Sequence, residues 1–139
     1  MQSAPLYFRP GERPDEAALR KQEMGSAGEK LACNALKKKG YRIIGKNYRC
    51  RYGEIDIIAI QKDCLVFVEV RSKSGTSFGT PEESITTQKM HKLVSTALDY
   101  LSSHTDVPPD WRIDFVAIEF DAARKKATRI EIIENAVNQ

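Results

Sequence analysis

The sequence predicts an α/β fold in which helices flank a central mixed β-sheet, with the element order α-β-β-β-α-β-β. Two segments place apolar residues at helical spacing, and five shorter segments are rich in β-branched and aromatic residues. Because helices and strands are interleaved along the chain, a sheet covered by helices is the expected arrangement. A length of 139 residues with 41% hydrophobic content is enough for one domain with its own core.

The sequence divides at about residue 24 into an N-terminal arm and a single domain. Residues 1–24 combine prolines with charged residues, so we expect an arm that is partly disordered or forms a short helix. Residues 25–139 are expected to form the single domain. Its first helix should begin at Ser26, an N-cap residue with Glu29 three positions later, and should end at Gly40.

Alternating and apolar runs predict the strands. The first three are "YRIIGKNYRC", "GEIDIIAI" and "CLVFVEVRS", and the short "QKDC" connection indicates a hairpin between the second and third. The loop "KSGTSFGTPEE" leads to a second helix over roughly residues 81–103. The last two strands are "WRIDFVAIEF" and "ATRIEIIEN". Within the fourth strand, we assign Asp114 a structural role near Arg112.

Charge and cysteine content limit the class of protein. A net charge of +3 permits a polyanionic partner without requiring one. Cys33, Cys50 and Cys64 are widely spaced and form no CxxC pair, which favours reduced thiols over a disulfide framework or a zinc site. The N-terminus lacks the apolar segment of a signal peptide, and the apolar runs are too short to span a bilayer. We therefore predict a soluble, cytoplasmic protein.

Charged residues interrupt the most apolar strand of the sequence. Side chains alternate across a strand, so the third strand should place Glu69, Arg71 and Lys73 on one face. The first half of this strand is apolar on both faces, as in a strand at the centre of a sheet. The charged residues therefore begin where the buried part of the strand ends.

The second strand carries acids as well. Glu54 and Asp56 are expected to share one face, while Ile55 and Ile57 point the other way. The hairpin then brings Asp56 beside Glu69. Two carboxylates and a cation at one edge of a core suit a divalent metal, because Mg²⁺ prefers oxygen ligands and keeps several waters. A buried ion-pair network without catalytic function fits the same pattern.

These motifs carry a resemblance to a known family. "GEIDIIA" followed by "VFVEVR" resembles the PD-(D/E)XK nuclease signature of the restriction-endonuclease-like fold. "GEKLA", "GYRIIGKNYR", "VFVEVRSKS", "FGTPEESI" and "RIDFVAI" also follow the order seen in the YraN family, bacterial proteins that are predicted endonucleases distantly similar to archaeal Holliday junction resolvases. The resemblance covers about residues 25–136. It implies a Mg²⁺- or Mn²⁺-dependent endonuclease acting on DNA, branched DNA included.

The resemblance also implies roles for individual residues. Asp56 and Glu69 take the two metal-binding positions, and the backbone carbonyl of Val70 is a further ligand. Glu29 resembles the helix acid that completes the site in related resolvases. Arg71 stands where the nuclease motif has its lysine. Arginine cannot act as a base, but it can stabilise charge on a phosphate.

The missing motif lysine leaves two candidate cations in the third strand. Lys73, two residues beyond Arg71 on the same face, could supply the ammonium instead. Lys73, Ser74, Lys89 and Lys92 are candidate nucleic-acid-binding residues. The first two lie in or beside a flexible basic loop next to the metal site, which suits phosphate contacts, and the two others lie near the beginning of the second helix. The resemblance to resolvases favours a homodimer. An inactive nucleic-acid-binding module and a protein-interaction domain with a structural carboxylate network are the alternatives.

Overall fold

The computed structural model describes residues 14–75, 79–121, 123 and 126–136, with side chains described from residue 25 onward. Residues 1–13 of the predicted arm lie outside the described residues, so this part of the domain boundary stays a prediction. The elements are α1 (Pro14–Lys38), β1 (Arg42–Cys50), β2 (Gly53–Gln61), β3 (Cys64–Ser74), a 3₁₀ turn (Glu82–Ser84), α2 (Thr87–Ser103), β4 (Asp110–Phe120) and β5 (Ala127–Ile133). The predicted order of helices and strands is confirmed.

The five strands form one mixed sheet in the order β1-β2-β3-β4-β5. The predicted β2–β3 hairpin is antiparallel, and so are the β1–β2 and β4–β5 pairs. β3 and β4 are parallel. A parallel pair needs a crossover connection, and α2 lies within it. The arrangement is consistent with the restriction-endonuclease-like fold.

The sheet is covered by one helix on each face, which gives two cores. We call them the α1-side core and the α2-side core. In β3, Val66 and Val68 belong to the α1-side core, whereas Leu65 and Phe67 belong to the α2-side core. The strand is therefore apolar on both faces over its first half, as predicted, and from Val70 onward its side chains are only partly buried.

Helix α1 is longer than the sequence indicated. It begins at Pro14, so Ser26 lies inside the helix and the predicted N-cap at this residue is wrong. A glycine within a helix costs only about 1 kcal/mol relative to alanine, so Gly25 does not end the helix. The predicted end at Gly40 is confirmed, because Gly40 has a φ of +86° and the N–H of Tyr41 reaches back to the Leu36 carbonyl at 3.0 Å.

Helix α2 begins later than residue 81. Thr86 is extended, and its hydroxyl accepts a hydrogen bond from the Lys89 N–H at 3.1 Å, which makes Thr86 the N-cap. The preceding residues Glu82–Ser84 form a separate 3₁₀ turn. The single helix predicted over residues 81–103 is therefore two elements.

A fully buried acid joins the ends of several elements on the α1 side of the sheet. Asp114 accepts hydrogen bonds from the Tyr41 hydroxyl at 2.8 Å, from Arg112 Nε at 2.9 Å and from the Asn135 backbone N–H at 2.8 Å. Burial, followed by the hydrogen bond to Asp114, raises the pKa of Tyr41 above its ordinary value. These contacts support the structural role predicted for Asp114.

Candidate metal centre

The candidate site lies where the β2–β3 ladder ends. The last register pair of this ladder is Ile57 with Val68. Two residues further along β3, the Val70 backbone N–H donates to Asp56 Oδ2 at 2.7 Å. The Asp56 side chain therefore takes the place of a backbone acceptor, and this bond fixes its carboxylate against β3.

Strand β2 does not alternate regularly through Asp56. Ile55 packs in the α2-side core and Ile57 in the α1-side core, so the prediction that they share one face is wrong. On β1, Asn47 lies between the residues that pair with Ile55 and Ile57, which places it opposite Asp56. Its φ of +54° is in the left-handed region and departs from regular strand geometry. Both β1 and β2 therefore depart from regular strand geometry at the level of Asp56.

Asp56 and Glu69 meet at this point, as the sequence predicted. Glu69 is only 4% exposed. Burial, then the charge of Glu69 and a hydrogen bond with the Glu69 side chain, raise the pKa of Asp56 from an ordinary 3.8 to about 8, although the Val70 N–H works in the opposite direction. Two carboxylates in contact in a buried position are costly unless a cation or a proton neutralises them.

Two cations reach Glu69 from different elements. Arg71 Nε lies 3.3 Å from Glu69 Oε2, and Lys89 Nζ, at the start of α2, lies 3.5 Å from the same oxygen. Arg71 Nε is buried and makes no hydrogen bond of normal geometry to the described residues. The site thus contains a buried N–H donor that lies beside Glu69 and is still able to bind an anionic oxygen.

The two remaining predicted catalytic residues, Lys73 and Glu29, form hydrogen bonds with residues outside the carboxylate pair. Lys73 Nζ donates to the Gly79 carbonyl oxygen, at the far side of the loop that follows β3. Glu29 on α1 accepts a hydrogen bond from Asn47 Nδ2 at 3.2 Å. Since Asn47 lies across from Asp56, this bond connects Glu29 to the strand beside the site.

The predicted nucleic-acid-binding residues are divided between two elements. Ser74 is the last residue of β3. Lys92 lies one helical turn beyond Lys89, and its Cβ is 3.8 Å from where a Cβ on Gly53 would stand, so Lys92 packs against the β1–β2 turn. Glu54, at the same end of β2, pairs with Arg49 at 3.0 Å in an exposed position.

Gly28 sets how closely α1 approaches β3 near the site. A Cβ added to this glycine would lie 2.3 Å from Ser72 Oγ, a distance at which at least the Ser72 hydroxyl must move. Gly28 thus lets the helix turn that carries Glu29 lie directly against the strand that carries Glu69 and Arg71.

The donor set suits a hard divalent cation that keeps part of its water shell. Among the described residues, no three carboxylate, histidine or cysteine side chains converge on one point. Mg²⁺ nevertheless is often held by only one or two carboxylates, with waters and substrate phosphates as its other ligands. Asp56 and Glu69 fit that pattern, and the Val70 carbonyl belongs to the residue whose N–H already holds Asp56.

Comparison with known proteins places the chain in a family. Residues 28–118 match the uncharacterised protein family UPF0102. The chain belongs to the UPF0102 family. This is the family, also called YraN, that the sequence motifs indicated, and the match includes Glu29, Asp56, Glu69 and Arg71.

Several UPF0102 proteins are similar over nearly their whole length. The UPF0102 protein of Alkaliphilus oremlandii is 44% identical over 115 residues, which cover 83% of this chain and 97% of the relative. The Chlorobium phaeobacteroides protein is 40% identical over 117 residues, or 82% of this chain and 93% of the relative. The Caldanaerobacter subterraneus protein is 36% identical over 118 residues, or 85% and 97%. Within the described part of this UPF0102 chain, neither helix has the length and apolar content needed to cross a membrane.

Replacing Asp56 with asparagine is expected to stabilise the metal-free protein in a pH-dependent way. The pKa of Asp56 is raised, so between about pH 4 and pH 8 the carboxyl is ionised in the unfolded chain but protonated in the folded one. Folding then takes up a proton, and stability falls as the pH rises. Asparagine carries no charge and can still accept from Val70. The free energy of unfolding of Asp56→Asn at pH 7 should therefore exceed that of the wild type by about 1–3 kcal/mol.

Urea unfolding in EDTA at several pH values measures this effect. The difference in the free energy of unfolding between Asp56→Asn and the wild type should grow from pH 4 to pH 8 and vanish below pH 4. Asp63→Asn, which changes an exposed acid in the β2–β3 turn, is the control and should show no such trend. A gain in Asp56→Asn that does not vary with pH would contradict the assignment of the cost to the buried carboxylate pair.

Proposed function

We propose that this UPF0102 protein is a divalent-metal-dependent endonuclease that hydrolyses phosphodiester bonds in DNA, with branched or structured DNA as the preferred substrate. The observation that carries the proposal is the meeting of Asp56 and Glu69 at the open end of the β2–β3 ladder, with Arg71 and Lys89 on the same carboxylate. Phosphodiester hydrolysis needs acids that hold a hard cation, and it needs neighbouring side chains that bind phosphate oxygens.

Each residue has a place in the proposed reaction. Asp56 and Glu69 would hold Mg²⁺ or Mn²⁺, together with the Val70 carbonyl. The ion supplies Lewis-acid stabilisation of charge on the phosphate oxygens. Glu29, held by Asn47 beside the site, orients the attacking water. Arg71 offers its buried Nε–H to a phosphate oxygen as negative charge develops.

Two other functions use the same residues differently. A nucleic-acid-binding module would keep the basic residues Lys73, Lys89 and Lys92 but would not cut DNA. A protein-interaction domain would use the carboxylates and Arg71 only as a structural network. The modest net charge of +3 fits all three functions. Assays of DNA cleavage and DNA binding together distinguish them.

Purified protein, four-way DNA junctions and linear duplexes of matched sequence provide the test. We expect strand cleavage that requires Mg²⁺ or Mn²⁺, is absent in EDTA and is faster on junctions than on linear DNA. Salt-sensitive binding without cleavage in either metal would favour the binding module. Absence of salt-sensitive DNA affinity would favour the protein-interaction domain.

Replacing the two β3 cations separates their roles. Because Arg71 contacts Glu69, Arg71→Ala should reduce the cleavage rate by about 10²-fold, the scale of losing one electrostatic stabiliser in a shielded site. Arg71→Lys restores the nuclease motif and should retain activity. Lys73 Nζ is bound to the Gly79 carbonyl, so Lys73→Ala should have a much smaller effect. Single-turnover cleavage rates measure all three variants, and a Lys73→Ala defect larger than that of Arg71→Ala would reverse the assignment.

The assembly of the active protein is a further part of the proposal. A homodimer suits a substrate that is cut at two symmetric positions, because each protomer then presents one site to one strand. Light scattering measures the number of protomers in the protein alone and in its complex with a junction in Ca²⁺, and we expect two.

A further inference from the structure

Lys89 is a cation that the nuclease motif does not account for. It lies in the first turn of α2, far from β3 in the sequence, yet its Nζ is 3.5 Å from Glu69 Oε2. We propose that Lys89 contacts the scissile phosphate and supplies the ammonium group that β3 lacks at position 71. The inference rests on the nuclease function proposed above.

The local structure places Lys89 at the site. The Thr86 hydroxyl accepts from the Lys89 N–H at 3.1 Å and fixes the first turn of α2. Leu93, on the next turn, is buried in the α2-side core, and Met90 packs against the same core. The backbone from which Lys89 projects is therefore held at both ends, while its side chain remains 23% exposed. That exposure leaves access for a substrate.

The contacts at Glu69 are weak enough to be exchanged. Arg71 and Lys89 approach the same oxygen at 3.3 and 3.5 Å, whereas a strong charge-assisted hydrogen bond measures about 2.7–2.9 Å. An ammonium also carries several N–H donors, and one contact with Glu69 leaves others for a phosphate oxygen. Lys89 can thus stay beside Glu69 and bind a phosphate at the same time.

Neither cation of β3 offers the same chemistry. Lys73 Nζ is engaged by the Gly79 carbonyl on the loop after β3. Arg71 presents a planar guanidinium with its charge spread over three nitrogens, while lysine presents a compact point charge on a flexible stem. Lys89 combines such an ammonium group with a direct contact to Glu69, a carboxylate of the site.

A purely structural role makes a different prediction. If Lys89 only offsets the charge of Glu69, removing it lowers stability and frees Glu69 for the metal, and cleavage is preserved. If Lys89 contacts the phosphate, removing it slows cleavage although the metal still binds. Metal affinity and DNA affinity therefore need to be measured beside the cleavage rate.

The experiment compares wild type, Lys89→Met and Lys37→Met. Lys37 is exposed near the C-terminal end of α1, so its replacement removes the same charge away from the site. Each protein is tested for single-turnover cleavage of a four-way junction in Mg²⁺, for Mn²⁺ affinity by titration calorimetry, and for junction affinity in Ca²⁺. Circular dichroism checks folding, and Lys89→Gln replaces Lys89→Met if the latter does not fold.

We expect Lys89→Met to cleave about 10²-fold more slowly, to bind Mn²⁺ at least as tightly as wild type, and to bind the junction only a few-fold more weakly. Lys37→Met should behave as wild type. Cleavage by Lys89→Met within about threefold of wild type overturns the inference and leaves the nuclease function standing. A parallel loss of Mn²⁺ affinity also overturns it, since the effect would then act through the metal. Absence of cleavage by wild type overturns the nuclease function itself.

Discussion

Replacing Glu69 with alanine is expected to reduce metal-dependent cleavage by at least about 10³-fold while leaving the protein folded. Glu69 is the point at which the site converges, because Asp56, Arg71 and Lys89 all contact it. Its loss would remove one of the two carboxylates proposed to hold the metal, and it would remove the carboxylate that both cations contact. Folding should survive, because removing Glu69 also removes the repulsion that raises the pKa of Asp56.

Cleavage rates of Glu69→Ala and of the isosteric Glu69→Gln, measured beside thermal unfolding curves, check this result. Asp63→Ala is the matched control, since it removes an exposed acid at the opposite end of the same hairpin and should cleave as wild type. An unfolded Glu69→Ala protein would favour the structural-network function. So would a folded Glu69→Gln protein with wild-type activity.

The second large effect concerns stability. Asp114→Ala is expected to lower the free energy of unfolding by about 3–5 kcal/mol, the usual cost of removing one partner of a buried ion pair. Alanine would leave the Arg112 guanidinium, the Tyr41 hydroxyl and the Asn135 N–H without their common acceptor. Since these residues come from β4, from the segment between α1 and β1 and from the segment after β5, the loss affects several elements at once.

Denaturant unfolding at pH 7 in EDTA measures the loss. Glu54→Ala breaks the exposed pair with Arg49 and should change stability by less than about 0.5 kcal/mol. A change of under about 1 kcal/mol in Asp114→Ala would show that the buried network is not what joins these elements.

Local sequence signals predicted the architecture well. The short "QKDC" connection predicted the β2–β3 hairpin, and the two-sided apolar pattern of Val66 and Phe67 predicted the central position of β3. Helix ends were less predictable. Gly40 ended α1 as expected, but the start of α1 depends on residues before Gly25, and glycine or serine inside a helix costs too little to stop it.

The contact between the two carboxylates was also predictable, because it depends on local structure. A hairpin and alternation in β3 suffice to bring Asp56 to Glu69, and the contact was found even though β2 does not alternate through Asp56. The irregularity lies opposite Asn47 of the neighbouring strand, and asparagine gives only a weak sequence signal as a residue that tolerates positive φ.

Contacts between distant elements could not be read from the sequence. Lys89 was expected to bind phosphate because it lies near the beginning of the second helix. Its contact with Glu69, however, depends on how α2 packs on the sheet. Thr86, an N-cap residue three positions before Lys89, was the available signal that this lysine sits in a first helical turn. The bond between Asn47 and Glu29 likewise depends on the packing of α1 near Gly28.

The central claim is that Asp56 and Glu69 share one divalent ion, and crystals soaked in Mn²⁺ test it most directly. An anomalous-scattering map should show one peak in contact with carboxylate oxygens of both residues, at about 2.0–2.3 Å from each. The same soak of Glu69→Ala crystals should show no peak there. Wild-type crystals that hold no Mn²⁺ at these carboxylates, from protein that cleaves DNA in Mn²⁺, would contradict the site.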